Sequence, residues 1–182
     1  VKLEQLHQSL RRDWLTQAQQ QSSQQPLHTD PVLLEIWQAI KAYPWVLANH
    51  GSVGIGHAVR KLWEFDQPGR YLGFSGGAGL GYGLGAAIGA ALAYQNSDTI
   101  CINLQCDGDL LFTPSALWTA AHHQVALLTI VMNNRSYGNT QGHSETIASF
   151  RHRPISNASR GNSLADIPVD YIQLADSFGI KT

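Results

Sequence analysis

The chain has 182 residues, 43% hydrophobic and 14% charged, with 12 Lys and Arg against 13 Asp and Glu. That length and apolar content suit one domain with a real core and exclude a disordered segment. A net charge of −1 argues against nucleic acid or an anionic membrane as partner, so a phosphorylated ligand would need neutralising by a metal ion or by backbone N–H groups.

Two cysteines, Cys101 and Cys106, fit neither a zinc motif nor a disulfide framework, and a cytoplasmic location is expected. The first residues are amphipathic and glutamine-rich, unlike a secretory leader. The chain starts at Val1 and carries one methionine, Met132, which leads us to expect a piece of a longer polypeptide.

In residues 2–20, Leu3, Leu6, Leu10, Trp14 and Leu15 recur at helical spacing and predict a surface helix. A glutamine-rich stretch to Pro26 follows, so 1–29 is read as linker helix and linker, and 30–182 as the domain. Asp30-Pro31 pairs an N-cap with a first-turn proline and opens a helix over 32–42. Residues 45–48 predict a short buried strand, ending in the polar turn Asn49-His50-Gly51-Ser52. A helix over 54–63 and a second strand over 70–74 come next.

The glycine-rich turn 75–83 opens into a small-residue helix over 84–94, followed by a third strand at 99–105. Thr113-Pro114 starts a helix ending near His123, and the apolar run 126–132 predicts a fourth strand, buried on both faces. From Asn134 to about Ala165 the chain is polar, and only a short, weak helix is expected. A last amphipathic helix covers 169–178, and Gly179-Ile180 reads as a turn entering another strand. The alternation implies a three-layer α/β domain with a parallel doubly wound sheet, lacking its C-terminal edge.

Ligands of such sheets bind where strands end. Asp107 closes the predicted third strand and Asn134 the fourth, 27 residues on, about the length of one right-handed crossover. That spacing brings a carboxylate and a carboxamide together at one sheet edge. Both are hard oxygen donors of the kind Mg2+ takes, alongside water and phosphate oxygens. Gly108 would let backbone approach a phosphate, and Asp109 would accept from the ligand or order the loop. Singly, Asp107-Gly108 and Asn133-Asn134 are ordinary turn sequences; their joint placement is what points to a site.

These residues resemble the motif of thiamine-diphosphate enzymes, Gly-Asp-Gly followed after about two dozen residues by Asn-Asn. Cys106-Asp107-Gly108-Asp109 and Met132-Asn133-Asn134-Arg135-Ser136-Tyr137-Gly138 carry the likeness, as do the runs from Leu110 to Ala121 and from Gly79 to Gly89. The run from Asp107 to Ala121 looks like that of the benzoylformate decarboxylase and acetolactate synthase branch, and the likeness covers about 30–182.

The resemblance implies Mg2+ held by Asp107, the side chain of Asn134 and the carbonyl of Ser136. Gly108, Asp109, Tyr137 and Gly138 would line the diphosphate, with the turn His50-Gly51-Ser52 at its far end. Leu80 would be the apolar wedge that bends the cofactor into a V, and the Ala78 carbonyl would accept from its aminopyrimidine. The cofactor then supplies the carbanion chemistry on a small 2-oxo acid.

Cys106 stands where the motif has its first glycine. The activating glutamate of the family lies in a separate pyrimidine-binding domain, of the same or another subunit. Nothing here corresponds to it, since Glu35 reads as a helix-surface residue. The chain is therefore expected to be inactive alone and to work within a homo-oligomer; a non-catalytic remnant, or an assembly subunit of a split enzyme, is the competing reading.

Gly81-Tyr82-Gly83-Leu84-Gly85-Ala86 is also a formal dinucleotide fingerprint, but the acidic residue near the required distance, Asp98, precedes its strand instead of ending it. The histidines show no zinc-ligand spacing. Arg151, Arg153 and Arg160 read as a solvated loop.

Overall fold

The computed structural model describes residues 2–77 and 79–182. Three parallel strands, β1 (Trp45–Asn49), β2 (Ile100–Cys106) and β3 (Leu127–Met132), form a sheet in the order β1-β2-β3. Helices α1 (Lys2–Gln20) and α2 (Thr29–Ile40) precede β1, and α3 (Val53–Leu62) follows it. Helix α4 (Tyr82–Ala93) leads into β2. After β2 come α5 (Asp107–Leu110) and α6 (Ala116–His122), and after β3 come α7 (Gly138–Phe150) and α8 (Tyr171–Ser177).

The pleat sorts side chains to two faces. Trp45, Leu47, Ile102 and Leu104 point toward α2 and α3, where Leu33, Trp37, Val59, Leu62 and Trp63 complete the larger core. Trp37, Trp45 and Trp63 pack ring to ring at centroid distances of 5.5–5.8 Å. Trp63 Nε1 donates to the Leu33 carbonyl at 2.9 Å, so its one polar atom is satisfied inside. Helix α1 joins this layer through Ala18, Trp14 and Leu15. Arg11 covers the C-terminus of α3, donating to the carbonyls of Lys61, Leu62 and Trp63. On the opposite face, Leu84 and Ile88 of α4 pack with Leu110, Leu117 and Ala120, and α8 closes over them with Leu174 and Phe178.

Sequence and structure part most clearly at segment 70–74, at β3 and after Asn134. The predicted strand 70–74 is a single bridge, Leu47 to Tyr71. Leu47 N donates to the Arg70 carbonyl at 2.8 Å and Leu72 N to the Leu47 carbonyl at 3.1 Å. Pairing stops there because Gly73 adopts φ +107°, which turns the backbone out of the ladder. Strand β3, expected to be buried on both faces, is only half-buried, because it lies at the edge of the sheet beside an open groove.

The polar stretch after Asn134, expected to hold only a short, weak helix, contains the 13-residue α7. None of its residues is buried, so no apolar stripe was there to announce it. Side chains support it instead: Ser136 Oγ donates to Gln141 Oε1 and Gln141 Nε2 to Glu145 Oε1, both at 2.9 Å.

Candidate functional site

The site forms where β2 and β3 end. Strand β2 stops at Cys106, and Asp107, expected as its last residue, is instead the first residue of the one-turn helix α5. Asp107 is 1% exposed. One carboxylate oxygen accepts from Gly108 N at 2.8 Å and the other from Arg135 N at 2.6 Å. The second bond crosses from the β2 tip to the β3 tip, so the crossover brings Asp107 against the Asn134–Arg135 peptide.

Beyond β3 the loop is wound tightly. Asn134 Oδ1 accepts from Ser136 N at 3.0 Å, and Arg135 takes φ +57° between them. Ser136 pairs with Ser163 in an isolated antiparallel bridge, and Tyr137 N donates to the Asn162 carbonyl at 2.8 Å. The polar segment after α7 thus ties down the loop of the Asn134 tip. Tyr137 lies over Gly108 so closely that a Cβ there would come within 2.4 Å of the ring. Gly138 approaches the Asn134 amide in the same way, at 3.0 Å.

At the β1 tip, Gly51 (φ +70°) and Ser52 border Cys106; a Cβ on Gly51 would stand 3.2 Å from the thiol sulfur. Ser52 caps α3, its hydroxyl accepting from Ile55 N at 3.3 Å. Burial pushes the Cys106 thiol up to about 11, with Asp109 and Asp107 adding to the shift and the Ser52 hydroxyl opposing it. The thiol stays protonated, a small neutral group in place of a glycine.

Leu80, Tyr82 and Phe112 are exposed beside these tips. Asp109 faces inward: Oδ1 accepts from Gly81 N at 2.7 Å and Oδ2 from the Gln105 amide. Ala78 lies outside the described residues.

Asp107 and Asp109 are both buried, yet among the described residues neither forms an ion pair with Lys or Arg. A buried carboxylate without a cation is costly unless backbone N–H groups or a bound ion offset it. Asp107 has two N–H partners and lone pairs to spare, and one of those partners, Arg135 N, belongs to the loop that carries the Asn134 amide and the Ser136 carbonyl. That donor set is all oxygen and suits a hard divalent ion.

Two features of the site were missed from sequence, Tyr171 and a buried row of polar side chains; His50 was read only as part of the turn beside Gly51 and Ser52. Tyr171 of α8 stands near enough to Asp107 that burial, then Asp107, then Tyr137 push its phenol up to about 12. His50 is buried, stacks on Phe74 at 4.6 Å and keeps its Nδ1 within 2.9 Å of the Ser52 carbonyl. Asn49, Asn103 and Gln105 form a buried polar row behind Asp109. Their signal was the placing of Asn103 and Gln105 two apart in an otherwise apolar strand.

A parallel sheet whose strand tips gather a buried acid, an amide-bearing loop and a glycine-rich turn defines a cofactor-binding α/β domain. The family model for the C-terminal TPP-binding domain of thiamine pyrophosphate enzymes matches residues 54–182, and the chain belongs to that family. It is similar to the acetolactate synthase isozyme 3 large subunit of Escherichia coli (strain K12), 27% identical over 177 residues, covering 92% of this chain and 29% of that protein. The acetolactate synthase large subunit of Buchnera aphidicola subsp. Schlechtendalia chinensis is 26% identical over 148 residues, covering 81% of the chain and 24% of the relative.

Among solved structures, the thiamine diphosphate-dependent 4-hydroxybenzoylformate decarboxylase of Rhodococcus jostii superposes with a TM-score of 0.70 at 26% identity, over 87% of this chain and 27% of that one. Benzoylformate decarboxylase from Polynucleobacter necessarius gives 0.72 at 21%, over 88% and 28%. The chain therefore spans between about a quarter and a third of the length of these proteins. No helix among the described residues is long and apolar enough to cross a membrane.

Proposed function

We propose that this domain holds thiamine diphosphate through Mg2+ and forms the diphosphate-binding half of a 2-oxo acid decarboxylase or carboligase. The observation that carries the reading is Asp107: buried, free of any Lys or Arg ion pair among the described residues, and hydrogen-bonded across to the Asn134–Arg135 peptide. Asp107, Asn134 Oδ1 and the Ser136 carbonyl would hold the ion, and Gly108, Tyr137 and Gly138 would line the phosphates. Gly51 and Ser52 would close the far end. When bound, the cofactor would supply the nucleophilic carbon and the electron sink that 2-oxo acid chemistry needs.

The residues of this chain orient that group. Leu80 stands exposed on the glycine-rich turn and would support the cofactor's bend. Tyr171 and the Cys106 thiol stay neutral and add no charge to the site. The acid that activates the cofactor would come from a pyrimidine-binding domain of the same or another subunit, in a homo-oligomer, and the single domain would not turn over substrate. A cytoplasmic setting accords with the two free cysteines.

Electron paramagnetic resonance with Mn2+ in place of Mg2+ tests the assignment. Thiamine diphosphate should immobilise the Mn2+ signal on the unaltered chain, and Asp107→Ala should abolish this. Equal immobilisation in the variant would overturn the metal assignment.

A further inference from the structure

The geometry of the site depends on a feature outside its ligand set: four polar side chains buried in one line beneath α4. Asn49, Asn103, Gln105 and Asp109 are each 0–6% exposed, on the sheet face where apolar side chains would ordinarily meet a helix. Their bonds run one way. Asn49 Nδ2 donates to Asn103 Oδ1 at 2.9 Å, and Asn103 Nδ2 donates to Gln105 Oε1 at 3.1 Å. Gln105 Nε2 donates to Asp109 Oδ2, while Asp109 Oδ1 takes the Gly81 N–H at 2.7 Å.

An ionised carboxylate only accepts, so it dictates the direction of every amide behind it. Local structure is bent to make the row possible. The register between β1 and β2 slips between Leu47 and Asn49, a bulge that pairs Asn49 with Asn103 and turns it to the α4 face. Gly83 of α4 lies directly above: a Cβ there would come within 2.5 Å of Asn49 Nδ2 and 2.8 Å of Gln105 Oε1.

We propose that Asp109 is a positioning residue whose carboxylate, oriented by the Asn49–Asn103–Gln105 row, clamps Gly81 and so fixes the turn bearing Leu80 against the Asp107 loop. Thr113 Oγ1 adds a second tie, donating to the Gly81 carbonyl at 3.1 Å. Asp109 then acts on the cofactor through Leu80 and not by touching phosphate. Both of its oxygens are directed into the protein. The inference rests on the thiamine-diphosphate reading for its consequence, but the clamp itself is a property of the ligand-free chain.

Two variants test it: Asp109→Asn, and the double variant Gln105→Glu with Asp109→Asn. In the first, the new carboxamide can keep its oxygen on the Gly81 N–H only if its NH2 meets the Gln105 donor or if the whole row of amides reverses. Reversal takes Asn49 Nδ2 off the Leu104 carbonyl and Asn103 Nδ2 off Thr129 Oγ1. In the second, the carboxylate introduced at position 105 accepts both from Asn103 and from the NH2 at position 109. The amide oxygen at 109 still accepts from Gly81, so the row is whole again.

Hydrogen exchange at Gly81 in the ligand-free chain should accelerate about tenfold or more in the single variant and recover in the double. Calorimetry uses two probes, thiamine diphosphate and inorganic pyrophosphate, each with Mg2+. The single variant should lose about tenfold in affinity for thiamine diphosphate while pyrophosphate changes by less than about twofold; the double should restore the loss.

Unchanged Gly81 exchange in the single variant overturns the clamp, as does failure of the double to restore it. An equal loss for both probes instead makes Asp109 a phosphate ligand and overturns its action through Leu80. If Asp109→Asn does not fold, recovery of the fold in the double supports the row and collapse of both overturns it. Should the unaltered chain bind neither probe, the thiamine-diphosphate reading fails, while the exchange result still decides the clamp.

Discussion

The two faces of the sheet differ in how completely they are packed. Toward α2 and α3, tryptophans interlock and Leu33, Leu47, Leu62 and Ile102 are fully excluded from solvent. Toward α6 and α8, the outer side of β3 borders an open groove of about 1290 Å3 whose walls include Leu117, Val125, Leu127, Tyr171 and Ile180. The strand itself is only half-buried at this sheet edge, and even on the α2 and α3 side Leu128, the register partner of Ile102, is exposed. The candidate site spans both regions, Asp107 sitting on the well-packed central strand's tip and Asn134 on the open one's. The difference teaches that the carboxylate tip is set by the core, whereas the amide tip depends on the loop that binds it to 162–164.

The largest effect expected from this contrast is on global stability. Trp63→Ala removes a ring that fills the closed core and should cost about 3–5 kcal/mol in urea unfolding. Leu117→Ala, beside the groove, should cost about 2 kcal/mol, at the low end for a buried leucine, because its surroundings are already incomplete. Equal costs would break the comparison.

Native-state hydrogen exchange should sharpen it. Amides of β1 and of the inner side of β2 should exchange only on global unfolding, whereas those of α8 open locally and faster.

Smaller effects come from two caps of like chemistry. Ser52 caps α3, which buries five residues, and Ser52→Ala should cost about 1 kcal/mol. Asp170 accepts from Ile172 N and Gln173 N, both at 3.0 Å, but α8 buries no residue, so Asp170→Ala should cost about 0.5 kcal/mol. A larger loss at Asp170 would mean that α8 is more tightly integrated than its exposure indicates.

The smallest effect is a pH dependence in the closed region. Burial lowers the His50 pKa from 6.5, the contact with the Ser52 carbonyl opposes this, and Arg60 and His57 lower it further. The unfolded chain therefore binds the proton more readily than the folded one. Stability should fall as pH drops from about 6.5 toward the folded value, and should not respond to this group above that window. Urea midpoints of the unaltered chain and His50→Gln across about pH 5 to 7.5 check this; the variant should lose part of the slope.

Much of the fold could be read from residue order, and the reasons are local. Uninterrupted apolar runs marked β1 and β3, and the Asp-Pro and Thr-Pro pairs fell near the starts of α2 and of the turn before α6, although α2 opens at Thr29 behind His28, so Asp30 lies inside the first turn and is not its N-cap. The crossover length between Asp107 and Asn134 brought the two strand tips together before any coordinates did.

What was not legible depended on tertiary context. Helix α7 buries no residue fully, and its half-buried face (Gln141, Gly142, Ser144, Glu145, Ala148) is mostly polar, so it lacks the apolar period that reveals helices. Segment 70–74 has strand-like residues but meets only the edge of β1, and Gly73 ends the pairing. The polar row was hidden because Asn49 joins it only through a bulge, which no spacing rule foresees. Asp109 was read as accepting from the ligand or ordering the loop, and its carboxylate, turned toward Gly81 and Gln105, matches the second of these.

The most direct test of the central claim is isothermal calorimetry of thiamine diphosphate on the unaltered chain, once with Mg2+ and once with a chelator. Saturable heat that appears only with the metal, and disappears in Asn134→Ala, is the result predicted. Identical binding with and without the metal, or none in either condition, would contradict it.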